Sequence, residues 1–238
     1  MKSIFDMYFS KDDTNSFMHV GRSKRDGAKV GSGRYPLGSG KNPRSDIRSK
    51  KIAEKANKKV VRIEDDVKKA AKSSGSKMYG LEHKLKTTES INRKLNKIMN
   101  EENLSINDAE NKIKDAVRFT TISSEKNFVS NYNKFKNYLE KNGYTETKCK
   151  NYFEKFKKGE VNHKAVQSVF EDSDGYPFEV QFQTKKSQDV KERKIPLYEE
   201  ARKENISADR LREIEKEMYK MALEIDDPVG IEKIISHS

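Results

Sequence analysis

The stretch Tyr176-Pro-Phe-Glu-Val-Gln-Phe-Gln-Thr184 alternates apolar and polar side chains, and it follows Asp172-Ser-Asp-Gly175, which has the composition of a tight turn. A repeat of two is the pattern of a β-strand that buries one face and keeps the other polar. The sequence therefore predicts a strand over residues 176–184. We expect an inner face of Phe178, Val180 and Phe182 and an outer face of Glu179, Gln181 and Gln183.

Further strands and helices are predicted around this strand. Runs rich in β-branched and aromatic residues predict strands beginning near residue 116 and over residues 144–152 and 165–170. Helices are predicted from the capping residue Ser105, from Phe128 to the stop at Asn142-Gly143, and over residues 197–203 and 207–225. Residues 105–238 thus predict an α+β domain, with a small mixed sheet flanked by helices.

The chain before residue 105 has a different character. Residues 1–44 are predicted to be an irregular, basic tail rich in glycine and serine, because they lack apolar periodicity and contain helix-breaking prolines. Two charged helices are expected over residues 45–72 and 79–100. We therefore predict a charged helical connector over residues 45–104, with the core helix that leads into the domain starting near residue 85.

The amino-acid composition limits the kinds of molecule that the protein is expected to bind. The 238 residues carry a formal charge of +12, with 33% hydrophobic and 37% charged residues. Residues 20–60 hold 13 lysines and arginines against 3 acidic residues, so contacts with DNA or RNA are expected to involve this part. No apolar run is long enough to span a membrane. The single cysteine, Cys149, and four scattered histidines form no metal-site spacing.

Two carboxylates have a placement that suggests chemistry. Asp115 stands at the start of one predicted strand, with Arg118 three residues later, and Glu179 lies on the polar face of another. If the strands are neighbours, the carboxylates converge, and a carboxylate pair can hold Mg²⁺ on a nucleoside triphosphate. Arg93 and Lys94 are then candidates for neutralising phosphate charge. The simpler alternative is an alternating strand with a solvated polar face.

Several segments resemble the RelA/SpoT nucleotidyltransferase-like domain, over roughly residues 85–235. They are SINRKLNKIM, IKDAVRFTTI, HKAVQSVF, SDGYPFEVQFQT and LYEEAR. The resemblance implies pyrophosphate transfer from ATP, the donor, to a nucleotide or RNA hydroxyl with Mg²⁺. It also implies that Asp115 binds the metal, that Glu179 either binds the metal or acts as the base, and that Gln181 orients the acceptor. Arg93 and Lys94 would contact phosphates, and Arg118 would support the phosphate or the sheet.

The chain departs from this family's pattern at two places. The segment from Asp115 to Arg118 has no glycine between the acidic and the basic residue and is shorter than in the long alarmone synthetases. The strand that carries a tyrosine and a histidine in the family corresponds to Lys164-Ala-Val-Gln-Ser-Val here, without either. Because that tyrosine stacks on the acceptor base, the departure argues against a guanosine nucleotide as acceptor.

The segment GRSKRDGAKVGSGRYPLGSGKNPR, which ends at Arg44, resembles short peptides that precede unrelated domains in phage head-gene clusters. The resemblance implies a docking tag for capsid, portal or other head proteins, in the virion or the cytoplasm of the infected bacterium. A basic linker and a DNA-binding arm remain alternatives, as do a noncatalytic structural protein and a toxin-like effector acting on host RNA or nucleotides. The candidate contact residues are Arg22, Lys24, Arg25, Arg34, Tyr35, Lys41 and Arg44.

Overall fold

A mixed five-stranded sheet forms the centre of the computed structural model, which describes residues 43–201 and 206–238. The strands lie in the order β1-β2-β5-β4-β3. Only the pairing of β2 with β5 is parallel, and the other pairings are antiparallel. The predicted α+β class is therefore confirmed. The strands are β1 (Lys77–Tyr79), β2 (Arg118–Ile122), β3 (Thr145–Asn151), β4 (Val166–Glu171) and β5 (Pro177–Gln183).

Helices lie around this sheet, and none within the described ranges is long and apolar enough to cross a membrane. Two short 3₁₀ turns cover Leu81–His83 and Ile231–Lys233. The α-helices are α1 (Pro43–Ser74), α2 (Thr88–Glu101), α3 (Ile106–Asn111), α4 (Phe128–Lys141), α5 (Tyr152–Lys157), α6 (Lys185–Ala201) and α7 (Ala208–Leu223).

Helix α4 packs on one face of the sheet, and α1 packs against α4. Phe182 of β5 meets Phe135 of α4 edge-on at a centroid distance of 5.1 Å, and both rings are buried. Ile63 and Val67 of α1 are buried in the same hydrophobic cluster. Helix α1, which lies within the charged helical connector predicted over residues 45–104, therefore packs into the core of the α+β domain.

The helix predicted over residues 79–100 is shorter than expected. Strand β1 ends at Tyr79, and Gly80 takes a left-handed conformation with φ of 60°, which breaks the chain direction. Helix α2 begins only after Thr87, whose side chain accepts a hydrogen bond from the Ser90 amide at 3.2 Å. The apolar residue Leu85 fitted the helical pattern, but it pairs as an isolated bridge with Val117 instead.

Helix α6 was predicted only in part, over residues 197–203. It begins directly after β5, where Thr184 and Ser187 cap it reciprocally, each side-chain oxygen accepting from the other residue's amide at 2.9–3.0 Å. The segment has few apolar residues and contains Pro196, so hydrophobic periodicity did not indicate a helix. This helix crosses the polar face of the sheet and forms the wall of the candidate site.

Candidate active site

The polar face of β5 supplies the centre of the candidate site. Register pairs Glu179 with Arg118 of β2, and Gln181 with Thr120 of β2 and Gln167 of β4. The Gln181 amide donates to a Glu179 carboxylate oxygen at 2.5 Å, which fixes the carboxylate along the strand. The predicted alternation is confirmed, because Phe178, Val180 and Phe182 are buried on the opposite face.

Asp115 lies just before β2 and beside the Glu179 strand. The Glu179 amide donates to the carbonyl of Val117, two residues after Asp115, at 3.0 Å. Each carboxylate oxygen of Asp115 accepts from one lysine, Lys86 at 2.5 Å and Lys94 at 2.9 Å. Burial alone would raise the pKa of Asp115, but the two ammonium groups hold it well below the ordinary value. The carboxylate is therefore ionised and surrounded by positive charge.

Cations also surround Glu179. Burial and nearby lysines lower the pKa of Lys150 on β3, and Glu179 partly offsets this effect. Partial desolvation and then Arg118 lower the pKa of Lys191 on α6, again offset in part by Glu179. The Lys191 ammonium donates to the Gln181 side-chain oxygen at 2.7 Å. Such an excess of cations suits a ligand with several negative charges, such as a nucleoside polyphosphate.

A cavity of about 490 Å³ opens between the polar face of the sheet and α6. Its size is within the range of small-molecule and cofactor sites. Arg118 and Gln181 line it from the sheet, so the cavity adjoins the carboxylate site. Helix α6 contributes Ser187, Lys191, Lys194 and Tyr198, and Tyr152, His163 and Lys164 also line the cavity.

Lys194 lies in the wall of this cavity, with only 1% of its surface exposed. Its ammonium donates to the backbone carbonyl of Asn162 at 2.6 Å. Burial, reinforced by Arg193, lowers the pKa of Lys194 to about 7. A buried ammonium of this kind is costly, and an anion bound in the cavity would favour its charged form.

Two aromatic rings flank the cavity. Tyr152 and His163 lie with ring centroids 4.0 Å apart at an interplanar angle of 39°. The Tyr152 amide donates to the carbonyl of Ala165 at 2.8 Å, which fixes Tyr152 beside the start of β4. Burial lowers the pKa of His163 well below its ordinary value, so the imidazole is neutral. These rings supply aromatic surface for a ligand group such as a nucleobase.

The predicted site residues divide into three groups. The first group lies on or beside the adjoining strands β2 and β5: Glu179 pairs in register with Arg118 and contacts Gln181, and Asp115, just before β2, contacts Lys94. Arg93 lies on an exposed side of α2, one position before Lys94. Arg44 is exposed in the first turn of α1. The remaining docking residues, Arg22, Lys24, Arg25, Arg34, Tyr35 and Lys41, lie outside the described residues.

Sequence reasoning missed five residues of this site: Lys86, Tyr152, His163, Lys191 and Lys194. A helical signal was present for α6, since Ser187, Lys191, Lys194 and Tyr198 recur at i, i+4, i+7 and i+11. That spacing was sought only among apolar residues. Tyr152 and His163 gave no comparable signal, because only the pairing of β3 with β4 brings them together.

Comparison with solved structures finds partial similarities. A GTP pyrophosphokinase family protein from Streptococcus pneumoniae is 11% identical with a TM-score of 0.47, over 77% of this chain and 92% of that one. The type VI effector Tas1, solved with its immunity protein, is 18% identical with a TM-score of 0.43, over 76% of this chain and 96% of that one. The protein smu.1046c from Streptococcus mutans UA159 is 12% identical with a TM-score of 0.41, over 73% and 87%.

No protein-family model and no curated protein matches the chain. Similarities of this size to solved structures leave the function to be argued from the site.

Proposed function

We propose that the chain is a Mg²⁺-dependent pyrophosphotransferase, which moves the β,γ-pyrophosphate of ATP to a hydroxyl of a nucleotide or RNA. One observation carries the proposal: Asp115 precedes the strand that pairs with the Glu179 strand and contacts Lys86 and Lys94, and Arg118 and Gln181 of the same two strands line a nucleotide-sized cavity. The resemblance of the surrounding segments to RelA/SpoT-like domains agrees with it.

The donor set is chemically suited to Mg²⁺. Asp115 and Glu179 offer carboxylate oxygens, which are the ligands that magnesium prefers together with phosphate oxygens. Lys86 and Lys94 occupy both oxygens of Asp115, so they would shift to the ATP phosphates when metal and nucleotide enter together. Bound Mg²⁺ would neutralise charge on the phosphates.

The protein's own groups would then orient and protonate the reactants. Arg118, Lys94 and Lys191 would hold the polyphosphate in line with the acceptor hydroxyl. In the transfer, the acceptor oxygen bonds to the β-phosphorus while the bond from that phosphorus to the α,β-bridging oxygen breaks, and AMP leaves. Glu179 would accept the hydroxyl proton, and Gln181, which touches it, would orient the acceptor.

The test uses purified full-length protein with Mg²⁺ and ATP labelled at the γ-phosphate. Acceptors are guanosine nucleotides, adenosine nucleotides and bulk tRNA, and the variants are Asp115→Asn and Glu179→Gln. We expect label transfer that each variant lowers by at least about 100-fold, since each loses a group that stabilises the transition state. Asp65→Asn serves as the matched control, because its carboxylate pairs with Lys69 on the exposed surface of α1.

Calorimetry with a non-hydrolysable ATP analogue separates binding from catalysis. Binding without transfer would contradict the activity and favour a noncatalytic nucleotide-binding protein. If the folded protein shows neither binding nor transfer, the result would contradict the proposal as a whole and favour a noncatalytic structural protein.

We also propose that the segment before α1 docks the chain to phage head proteins, in the virion or in the infected cell. Its GSGRYPLGSGKNP peptide supports this proposal. Quantitative mass spectrometry of purified particles tests it: a fixed copy number per particle is expected. Growth arrest on expression without any phage would favour the effector alternative.

A further inference from the structure

A second cluster of reactive side chains lies away from the candidate active site, where the C-terminal tail meets β3. His237 pairs with Cys149 as an antiparallel bridge, with backbone hydrogen bonds of 3.0 and 2.9 Å. Residues paired in this way project their side chains to the same face. The imidazole of His237 therefore lies beside the thiol of Cys149, which is buried.

A bulge adds a carboxylate to this pair. In a regular strand, residues three apart point to opposite faces. The register of β3 against β4 shifts between Glu146 and Lys148, and this irregularity brings Glu146 to the same side as Cys149. The Glu146 side chain is only 1% exposed.

The three donor atoms have the separations of a metal site. A ring nitrogen of His237, the Cys149 sulfur and a Glu146 oxygen all lie within 4.8 Å of one another. The His237 Nε2 is 3.3 Å from the Glu146 oxygen. A tetrahedral ion with bonds near 2 Å holds two such ligands about 3.3 Å apart. The imidazole side is open to solvent, because 43% of the His237 side chain is exposed.

The groups around the cluster are compatible with a cation. The Lys136 ammonium lies 2.7 Å from the Glu146 oxygen, where it supplies the positive charge that the buried carboxylate needs. Lys136 is also within 3.8 Å of Glu140, so it has a second partner if an ion displaces it. The Tyr132 hydroxyl donates to Glu146 at 2.7 Å, and its oxygen lies 3.4 Å from the Cys149 sulfur.

We propose that Glu146, Cys149 and His237 bind a zinc ion that fastens the C-terminal tail to the edge strand of the sheet. Sulfur, imidazole nitrogen and carboxylate oxygen are together the ligand types of zinc, and a hard ion such as Mg²⁺ would not select the thiolate. Three protein ligands leave the fourth position for water. The ion would tie Glu146 to a residue 91 positions later.

The experiment uses full-length, chelator-treated protein without a histidine tag, titrated with Co²⁺ and, separately, Zn²⁺. Cobalt should give a thiolate charge-transfer band and the visible bands of a tetrahedral site. Zinc at about 100 times its Kd should raise the melting temperature by about 5–10 °C. His237→Ala should weaken zinc binding by more than about 10-fold, and Cys149→Ser should remove the charge-transfer band.

His83→Ala is the matched control, because His83 is also exposed and lies 3.6 Å from a glutamate, but no cysteine is near it in the described structure. Its zinc affinity should equal that of the wild type. The exposed His237→Ala variant carries the test if the buried Cys149→Ser variant does not fold. Folded wild-type protein without a thiolate band, or equal affinity for the wild type and His237→Ala, would overturn the proposal.

Discussion

Replacing Lys194 with methionine should stabilise the protein at neutral pH while weakening nucleotide binding. The side chain is 1% exposed, and its ammonium donates to the Asn162 carbonyl at 2.6 Å. Burial, followed by Arg193, lowers the pKa of Lys194 from 10.5 to about 7. Methionine has a similar volume and needs no proton, so the substitution removes the cost of burying a charge.

The sign and size of this stability change follow from the pKa values of Lys194 in the folded and in the unfolded chain. Because the folded pKa of Lys194 is the lower one, the unfolded chain binds more protons, and the stability of the wild type rises with pH. The penalty is fully present below about pH 7 and fades as the pH approaches 10.5. It amounts to about 4 kcal/mol at pH 7 and about 2 kcal/mol at pH 9.

The methionine variant also leaves the Asn162 carbonyl without the Lys194 ammonium, which costs about 1–3 kcal/mol. We therefore expect a net gain of about 2 kcal/mol at pH 7, or about 4–8 °C in melting temperature for a chain of this size.

Urea unfolding at several pH values from 7 to 9 measures the effect. This window stays below the range in which buried tyrosines, whose pKa values are raised by burial, begin to ionise in the unfolded chain. From pH 7 to pH 9, the free energy of unfolding of the wild type should rise by about 2 kcal/mol more than that of Lys194→Met. Lys220→Met, which changes an exposed lysine of α7, is the control and should follow the wild type.

An equal pH dependence in the wild type and Lys194→Met would refute the reasoning, because the ammonium would then not be buried in the folded state. The same variant should weaken binding of the non-hydrolysable ATP analogue. If binding is unchanged, the cavity beside α6 is not where the nucleotide lies.

Three further predictions concern stability, each measured by urea unfolding. Ile63→Ala should lower the free energy of unfolding by about 2–5 kcal/mol, because Ile63 is buried in the core shared with the sheet. The control Val61→Ala, at a position 73% exposed, should change it by less than about 0.5 kcal/mol. Equally small effects of both substitutions would contradict the placement of α1 in that core. Thr87→Ala should cost about 1 kcal/mol through loss of the α2 cap, and Thr87→Ser should retain it. Gly143→Ala should cost about 1 kcal/mol because φ is +86° there, although the added methyl meets no atom within 4 Å; an unchanged stability would contradict this reading.

The sequence was most informative where one local pattern specified both an element and its orientation. Alternation along residues 176–184 predicted β5, its buried phenylalanines and the polar placement of Glu179 and Gln181, because the side-chain period of a strand is two wherever one face meets a core. Helix α4 was equally readable, since its apolar spacing ends at a glycine that takes a positive φ.

Sequence patterns gave wrong or incomplete predictions where tertiary contacts outweighed the local secondary-structure preference. Leu85 fitted a helix, but its pairing with Val117 extends the chain there. Helix α6 has few apolar residues because it faces the polar side of the sheet and a cavity, and it buries Lys194 where a core helix would bury a leucine. The charged appearance of α1 suggested a connector, although its narrow apolar stripe is enough to complete the core.

The sequence by itself determined the α+β class and the polar face of β5, because these depend on periodicities of a few residues. Only the tertiary structure decided which distant groups meet. It placed Lys86 and Lys94 in contact with Asp115, Tyr152 in contact with His163, and His237 beside Cys149. Such contacts depend on strand order and register, which are fixed by how the whole core packs and leave no local trace in the chain.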